Sequence, residues 1–153
     1  MNGKPQKRRE RATRLLFWAY MAVLLRITVF RTGFWRGPLF SGQISLALFT
    51  AVYPPLIQSG RWGYILYLFA GNIVWFIPFG AYLAWQRPGL RPARLLLAGL
   101  ALSLLIETMQ FVLGTGFSEL DDLVLNTLGA GLGGWAATLA RRMAYRRKNR
   151  RQK

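Results

Sequence analysis

The sequence contains neither cysteine nor histidine, and only five of its 153 residues are acidic. Without cysteine there is no disulfide, no thiolate metal ligand and no cysteine nucleophile. Without histidine, the commonest general base and the usual zinc ligand are missing too. Any chemistry in this chain would therefore depend on carboxylates, amides, hydroxyls and basic side chains.

Charged residues are rare in the middle of the chain. Its 21 Lys and Arg residues and five acidic residues give a formal net charge of +16, and most of the basic residues lie at the two ends and at 87–94. Long apolar blocks remain between them, a distribution typical of a membrane-spanning protein. We therefore expect the basic residues to contact the anionic surface of a lipid bilayer, and we expect no nucleic-acid partner.

Four apolar blocks predict an all-α, polytopic four-transmembrane-helix bundle. The blocks are 15–30, 62–85, 95–113 and 123–140. About 20 apolar residues are needed to cross the hydrocarbon core of a bilayer. We expect interruptions of the second block at Gly71-Asn72 and at Pro78. The stretch 32–61 is less hydrophobic, and its apolar piece 44–57 is too short to span, so it predicts an extra short interfacial or re-entrant segment between helices 1 and 2.

The distribution of basic residues predicts the orientation. Six Lys or Arg residues precede the first block, three lie between the second and third, eight follow the fourth, and none lies between the third and fourth. By the positive-inside rule, both termini are cytoplasmic. We expect a basic N-terminus at 1–14, a membrane domain at 15–140 and a basic tail at 141–153. The start of the chain resembles a signal peptide but lacks a small-residue cleavage site, which predicts an uncleaved first helix.

A carboxylate inside the third apolar block is the sharpest functional signal. Inserting a charged Glu107 at the centre of a helix would cost about 2.5–3.5 kcal/mol. Ser103, Glu107 and Gln110 share one helical face, which must point into the bundle or into a wet cavity. Glu107 either joins helices structurally or binds a substrate or proton. Arg26 has a similar predicted depth and is a candidate partner of Glu107; alternatively, its side chain extends to the headgroups alone.

A second group of polar residues follows the third block. Glu119, Asp121 and Asp122 lie within four residues of each other, and Asn126 follows Asp122 by one helical turn. Capping of a helix N-terminus explains one of these carboxylates but not all three. Such a group could bind Ca²⁺ or Mg²⁺, or receive a cationic or hydroxyl-rich headgroup. Because it lies on the same predicted side as Glu107, we expect one shared extracytoplasmic site and no other cofactor.

Two further features concern helix packing. Asn72 lies inside the second block, where its amide needs a partner on another helix. Gly129 and Gly133 are four residues apart, a small-residue spacing that lets helices approach closely. Packing within the chain is the first expectation, and a homodimer is the alternative.

In these same residues the chain resembles the VanZ-like family of bacterial membrane proteins. The matching segments are Gly71-Asn72 followed by Phe76-Ile77-Pro78-Phe79-Gly80, then Ser103-Leu104-Leu105-Ile106-Glu107-Thr108-Met109-Gln110, and then Asp121-Asp122-Leu123-Val124-Leu125-Asn126-Thr127-Leu128-Gly129-Ala130. The family is named for a protein associated with low-level resistance to the glycopeptide teicoplanin, so the resemblance implies a similar role in the bacterial cell envelope. The chain departs from the family in lacking an Arg shortly before the acidic loop, and in having Glu119 where Asp is usual.

Three functional hypotheses follow. The first is a non-enzymatic VanZ-like protein of the cytoplasmic membrane that binds an envelope lipid, a glycopeptide or a cell-wall precursor. Its predicted ligand-binding residues are Arg26, Asn72, Glu107, Gln110, Glu119, Asp121, Asp122 and Asn126. The second is a membrane enzyme acting on a lipid-linked envelope substrate, with Glu107, Asp121 and Asp122 as acid–base groups or metal ligands. The third is a small proton-coupled exporter.

Overall fold

The computed structural model describes residues 3–30 and 38–150 of the chain. Residues 1–2 of the predicted N-terminus, residues 31–37, which include the start of the predicted interfacial stretch at 32–61, and residues 151–153 of the predicted tail lie outside the described residues. The described elements are α1 (Gly3–Thr28), β1 (Gln43–Ser45), α2 (Tyr53–Gln58), α3 (Trp62–Gln86), α4 (Pro92–Leu113), β2 (Phe117–Glu119) and α5 (Leu120–Arg150). The described residues are therefore mostly helical, with one pair of three-residue strands and short connecting loops.

Among the described helices, α3, α4 and α5 are long and apolar enough to cross a membrane. They correspond to the second, third and fourth predicted blocks. The helix α1 does not meet the same criterion, because its apolar run begins at Leu15 and reaches Arg26 only 11 residues later. At 1.5 Å per residue that run covers about 17 Å, against a hydrocarbon core of about 30 Å. The structure thus supports three spans, and the fourth remains a prediction.

The helix α3 differs from the prediction in its continuity, and α5 differs in its length. The helix α3 runs through Gly71 and Pro78 without interruption, so the predicted breaks are wrong at the level of secondary structure. Pro78 lies between Ile77 and Gly80, which both meet the backbone of α5, and packing of this kind keeps a proline-containing membrane helix continuous. The helix α5 continues to Arg150, so most of the predicted basic tail is an extension of the last span.

Glycines bring the backbones of α3 and α5 into direct contact. A Cβ added at Gly129 would overlap the carbonyl group of Ile73 in α3, and one added at Gly80 would overlap the carbonyl group of Ala130 in α5. The prediction that the small-residue face packs within the chain is confirmed. The homodimer stays a prediction, and it would need another surface.

The helix α1 packs against α3 and α4 through a small apolar core and an aromatic stack. Leu24 is fully buried with Phe76 of α3 and Ile106 of α4. Nearer the start of α1, the ring of Phe17 stacks on that of Tyr82, with 3.7 Å between the ring centroids. The middle of α1 therefore lies beside the C-terminal end of α3.

Residues 38–52, which we call the strap, cover the end of the bundle where α4 ends and α5 begins. The backbone N–H of Gly42 donates to the carbonyl oxygen of Phe111 at 3.1 Å. The strand β1 then pairs in parallel with β2. Further along, the N–H of Phe49 donates to the carboxylate of Asp121 at 2.6 Å. The predicted single interfacial segment is thus divided into β1 and α2, and the strap is tied to the acidic residues.

Candidate functional site

The polar face of α4 points into the protein. Ser103, Glu107 and Gln110 are all buried, although they lie on a helix that is otherwise strongly apolar. Gly99 and Ile106 belong to the same inward side of the helix. The prediction that these three polar residues share an inward face is therefore confirmed.

One hydrogen-bond network joins α3, α4 and α5 at this level. The side-chain amide of Asn72 donates to the carboxylate of Asp122. The amide of Asn126 donates to the hydroxyl of Ser103 at 2.9 Å, and that hydroxyl lies 3.4 Å from the carbonyl oxygen of Asp122. The prediction that Asn72 finds a partner on another helix is confirmed. The network fixes the three candidate spans relative to one another at the end covered by the strap.

Glu107 is held by two residues of β2. Its Oε2 accepts the backbone N–H of Glu119 at 2.9 Å. The hydroxyl of Ser118 donates to the backbone carbonyl oxygen of Glu107 at 2.7 Å. The first bond satisfies part of the hydrogen-bonding capacity of the carboxyl group of Glu107, a residue that is only 5% exposed. The contact of Ser118 could not be predicted from the sequence, because a three-residue strand is too short to show the alternation of apolar and polar residues that identifies strands.

A cavity of about 230 Å³ lies against Glu107. Its apolar walls are formed by Ile44, Leu46, Leu104, Phe111 and Leu123. Glu107 and Glu119 are the two acidic residues in its lining. The cavity therefore combines apolar walls with two acidic residues. Its lining residues belong to the strap, α4, β2 and α5.

Asp121 contacts the strap at the end of the bundle where α4 ends and α5 begins. Asp121 is buried and accepts the N–H of Phe49, whose φ of +55° is in the left-handed region that side chains disfavour. Tyr53 lies close by in α2, outside the three candidate spans. Burial, and then the charges of Asp121, Asp122 and Glu119, raise the pKa of Tyr53 to about 12. The phenol of Tyr53 thus keeps its proton in a region of negative potential.

Two predicted residues have other partners. The side-chain amide of Gln110 donates to the carbonyl oxygen of Thr28 at 3.3 Å, which joins α4 to the end of α1. Arg26 is exposed and donates to the carbonyl oxygen of Phe30 at 2.5 Å, close to the end of its own helix. The predicted pairing of Arg26 with Glu107 is not formed in the described part of the chain. A guanidinium near a helix C-terminus satisfies carbonyls that have no partner within the helix.

The carboxylates are spread over separate sets of contacts. Asp122 bonds Asn72, Asp121 bonds the strap, and Glu107 bonds β2. Within residues 3–30 and 38–150, no three acidic side chains are grouped so that they could hold a metal ion. A divalent cation would need additional ligands from carbonyls, amides or water.

The structure brings most of the predicted residues to one end of the bundle, in two groups. Asn72, Asp122 and Asn126 belong to the interhelical network, and Glu107 and Glu119 line the cavity. The sequence pattern places Ser103 on the same face as Glu107, but Ser103 is not among the predicted site residues. Its spacing of four residues from Glu107 was the available signal.

Comparison with known proteins gives one match. The family model described as VanZ/LLP1 matches residues 17–141, from the first turns of the apolar part of α1 to Arg141 in α5. The match includes all of the predicted site residues. Neither a curated relative nor a solved structure matches the chain.

Proposed function

We propose that this chain, which belongs to the VanZ/LLP1 family, is a four-span protein of the bacterial cytoplasmic membrane that binds an amphiphilic cell-envelope molecule at its extracytoplasmic end. The observation that supports this proposal most directly is the position of Glu107. This residue is 5% exposed and lines a mostly apolar cavity of about 230 Å³. Apolar cavities with a few placed polar groups are the usual form of a ligand site.

The residues at the two ends of the bundle support the proposed orientation. Arg141, at the start of the basic extension of α5, donates to the carbonyl oxygens of Ala84 at 3.1 Å and Trp85 at 2.6 Å. The basic residues therefore collect at the end opposite the strap, which supports cytoplasmic termini and an extracytoplasmic strap. The helix α1 would provide the fourth crossing, with Arg14 and Arg26 extending their side chains to the headgroups on either side.

The ligand is an envelope lipid, a glycopeptide such as teicoplanin, or a cell-wall precursor. All three can present an apolar part to the cavity wall and polar groups to Glu107. Resistance to teicoplanin would follow if occupation of this site changes what the drug reaches in the envelope. The network of Asn72, Asp122 and Asn126 then has a supporting role, since it fixes the helices that form the cavity.

Gene deletion and complementation test this function. We expect deletion to raise susceptibility to teicoplanin or to another envelope-directed drug, and wild-type protein to restore it. Glu107→Gln keeps the shape of the side chain and removes its charge, so we expect it to reach the membrane at wild-type levels without restoring resistance. Glu10→Gln, on the exposed N-terminal part of α1, is the matched control and should complement fully. An unchanged profile for every envelope drug after deletion would contradict the proposal.

A second candidate function is catalysis on a lipid-linked envelope substrate. The observation in its favour is that two acidic residues, Glu107 and Glu119, line one cavity. Two carboxyl groups in different environments can divide the roles of acid and base. Asp121 is less suited to that work than the sequence indicated, because it holds the strap. Turnover of a lipid-linked substrate that is lost in Glu107→Gln would favour this function; no turnover by purified protein would count against it.

A further inference from the structure

We infer that the cavity beside Glu107 takes one end of a single-chain amphiphile that carries a primary amine, and that this molecule enters sideways from the outer leaflet. The inference rests on the proposed function and specifies the chemical class of its ligand. It follows from three properties of the cavity: its size, the surface onto which it opens and the charge of its lining.

The size of the cavity limits how much of a ligand it can hold. A volume of about 230 Å³ is below the range of about 300–1,000 Å³ for sites that enclose a whole drug-sized molecule. It is larger than the dry apolar cavity of about 150 Å³ that accepts a benzene molecule. The site therefore accommodates a headgroup and the first part of a chain. The rest of the chain would remain in the surrounding bilayer.

The edge of the cavity is apolar and faces sideways. Ile44, Leu46 and Leu104, which contribute to its lining, are 59%, 76% and 54% exposed. Leu104 lies on the span α4, where an exposed leucine faces lipid. A water-soluble ligand would meet this apolar edge on its way in, whereas an amphiphile already in the leaflet can reach Glu107 without leaving the lipid.

The charge of the lining selects the headgroup. Oε2 of Glu107 accepts the N–H of Glu119, and Oε1 takes part in no hydrogen bond between described residues. None of the described residues that line the cavity is basic. An ammonium group donates charge-assisted hydrogen bonds to a carboxylate and offsets the cost of keeping its charge out of water. An anionic headgroup would instead bring two like charges together in a medium of low dielectric constant.

Photo-crosslinking with competition tests the inference on the full chain in lipid nanodiscs. The probe is an alkylamine with a diazirine in its chain, and crosslinked sites are mapped by mass spectrometry. The competitors are dodecylamine, dodecanol and dodecanoic acid, which share one chain and differ in headgroup. We expect crosslinks at cavity-lining residues of α4 and α5, and we expect dodecylamine to compete at least tenfold better than dodecanoic acid.

Variants separate the headgroup from the chain. Glu107→Gln should reduce the preference for the amine at least tenfold while leaving some crosslinking, because the apolar walls remain. Leu104→Trp should abolish crosslinking by filling the cavity. The matched control is Leu97→Trp, two turns away on α4 at a residue that is 63% exposed and does not line the cavity, and it should behave as wild type.

Two results would overturn the inference: equal competition by the amine and the acid, or crosslinking that persists in Leu104→Trp. The proposed function fails separately. If Glu107 is required for drug resistance but the amine does not compete, the ligand class is wrong and the function stands. If the amine binds as expected but deletion leaves every drug profile unchanged, the envelope role is wrong and the ligand class stands.

Discussion

Replacing Gly133 by alanine tests the close approach of α3 and α5. A Cβ at this position would overlap the carbonyl group of Ile77, and the obstacle is backbone that cannot rotate away. Overpacking of this kind costs about 1–3 kcal/mol, because the helices must shift apart. Alanine also gains about 0.5–1 kcal/mol over glycine inside a helix. We therefore expect Gly133→Ala to be destabilised by up to about 2.5 kcal/mol.

Gly71→Ala is the control that isolates the packing cost. Gly71 also lies inside a helix, but a Cβ added there meets nothing within 4 Å. It should share the gain in helix propensity and be stabilised by about 0.5–1 kcal/mol. The difference between the two variants, about 1–3 kcal/mol, is then the cost of overpacking alone.

The assay is unfolding by sodium dodecyl sulfate in mixed micelles, followed by the fluorescence of the six tryptophans. Gly133→Ala should unfold at lower denaturant than the wild type, and Gly71→Ala at the same concentration or higher. If Gly133→Ala is as stable as Gly71→Ala, the backbones of α3 and α5 are not in direct contact. The interhelical hydrogen-bond network, which depends on that packing, would then be wrongly placed as well.

Three further predictions concern the contacts that frame the site. In a double-mutant cycle with Asn72→Ala and Asp122→Ala, we expect a coupling free energy of about 0.6–1.7 kcal/mol in the same unfolding assay, and a coupling near zero would refute the interhelical bond. Arg141→Ala should lower stability by about 0.3–1 kcal/mol by removing a cation from the carbonyl end of α3, whereas the exposed Arg142→Ala should not. Asp121→Ala should release the strap, measured as faster proteolysis within 38–52; unchanged cleavage would mean that this hydrogen bond does not hold it.

The inward direction of the polar face of α4 was predictable from the sequence. Polar side chains on an apolar helix must avoid lipid, and the spacing of Ser103, Glu107 and Gln110 puts them on one side. The limits of α3 and α4 were close to prediction for a similar reason, since hydrophobicity ends where the arginines of 87–94 begin.

Other features depend on forces that the pattern does not show. The hydrophobic criterion ended the last span near residue 140, but Arg, Met, Ala and Lys are good helix formers, so α5 continues to Arg150. The partner of Arg26 was predicted from depth alone, whereas the structure pairs its guanidinium with the carbonyl of Phe30. The strap pairs through backbone groups over three residues, and such pairing depends on tertiary contact rather than on side-chain period.

The central claim, that the cavity faces the extracytoplasmic side, can be tested directly by cysteine labelling. Because the sequence contains no cysteine, a single introduced cysteine is the only labelling site. Ser45 lines the cavity beside Glu107, so a single Ser45→Cys variant reports which side of the membrane the site faces. In intact spheroplasts we predict that a membrane-impermeant maleimide labels Ser45→Cys, while Asn149→Cys, in the basic extension of α5, is labelled only after permeabilisation. Labelling of Ser45→Cys only after permeabilisation would place the cavity on the cytoplasmic side and contradict an extracytoplasmic envelope site.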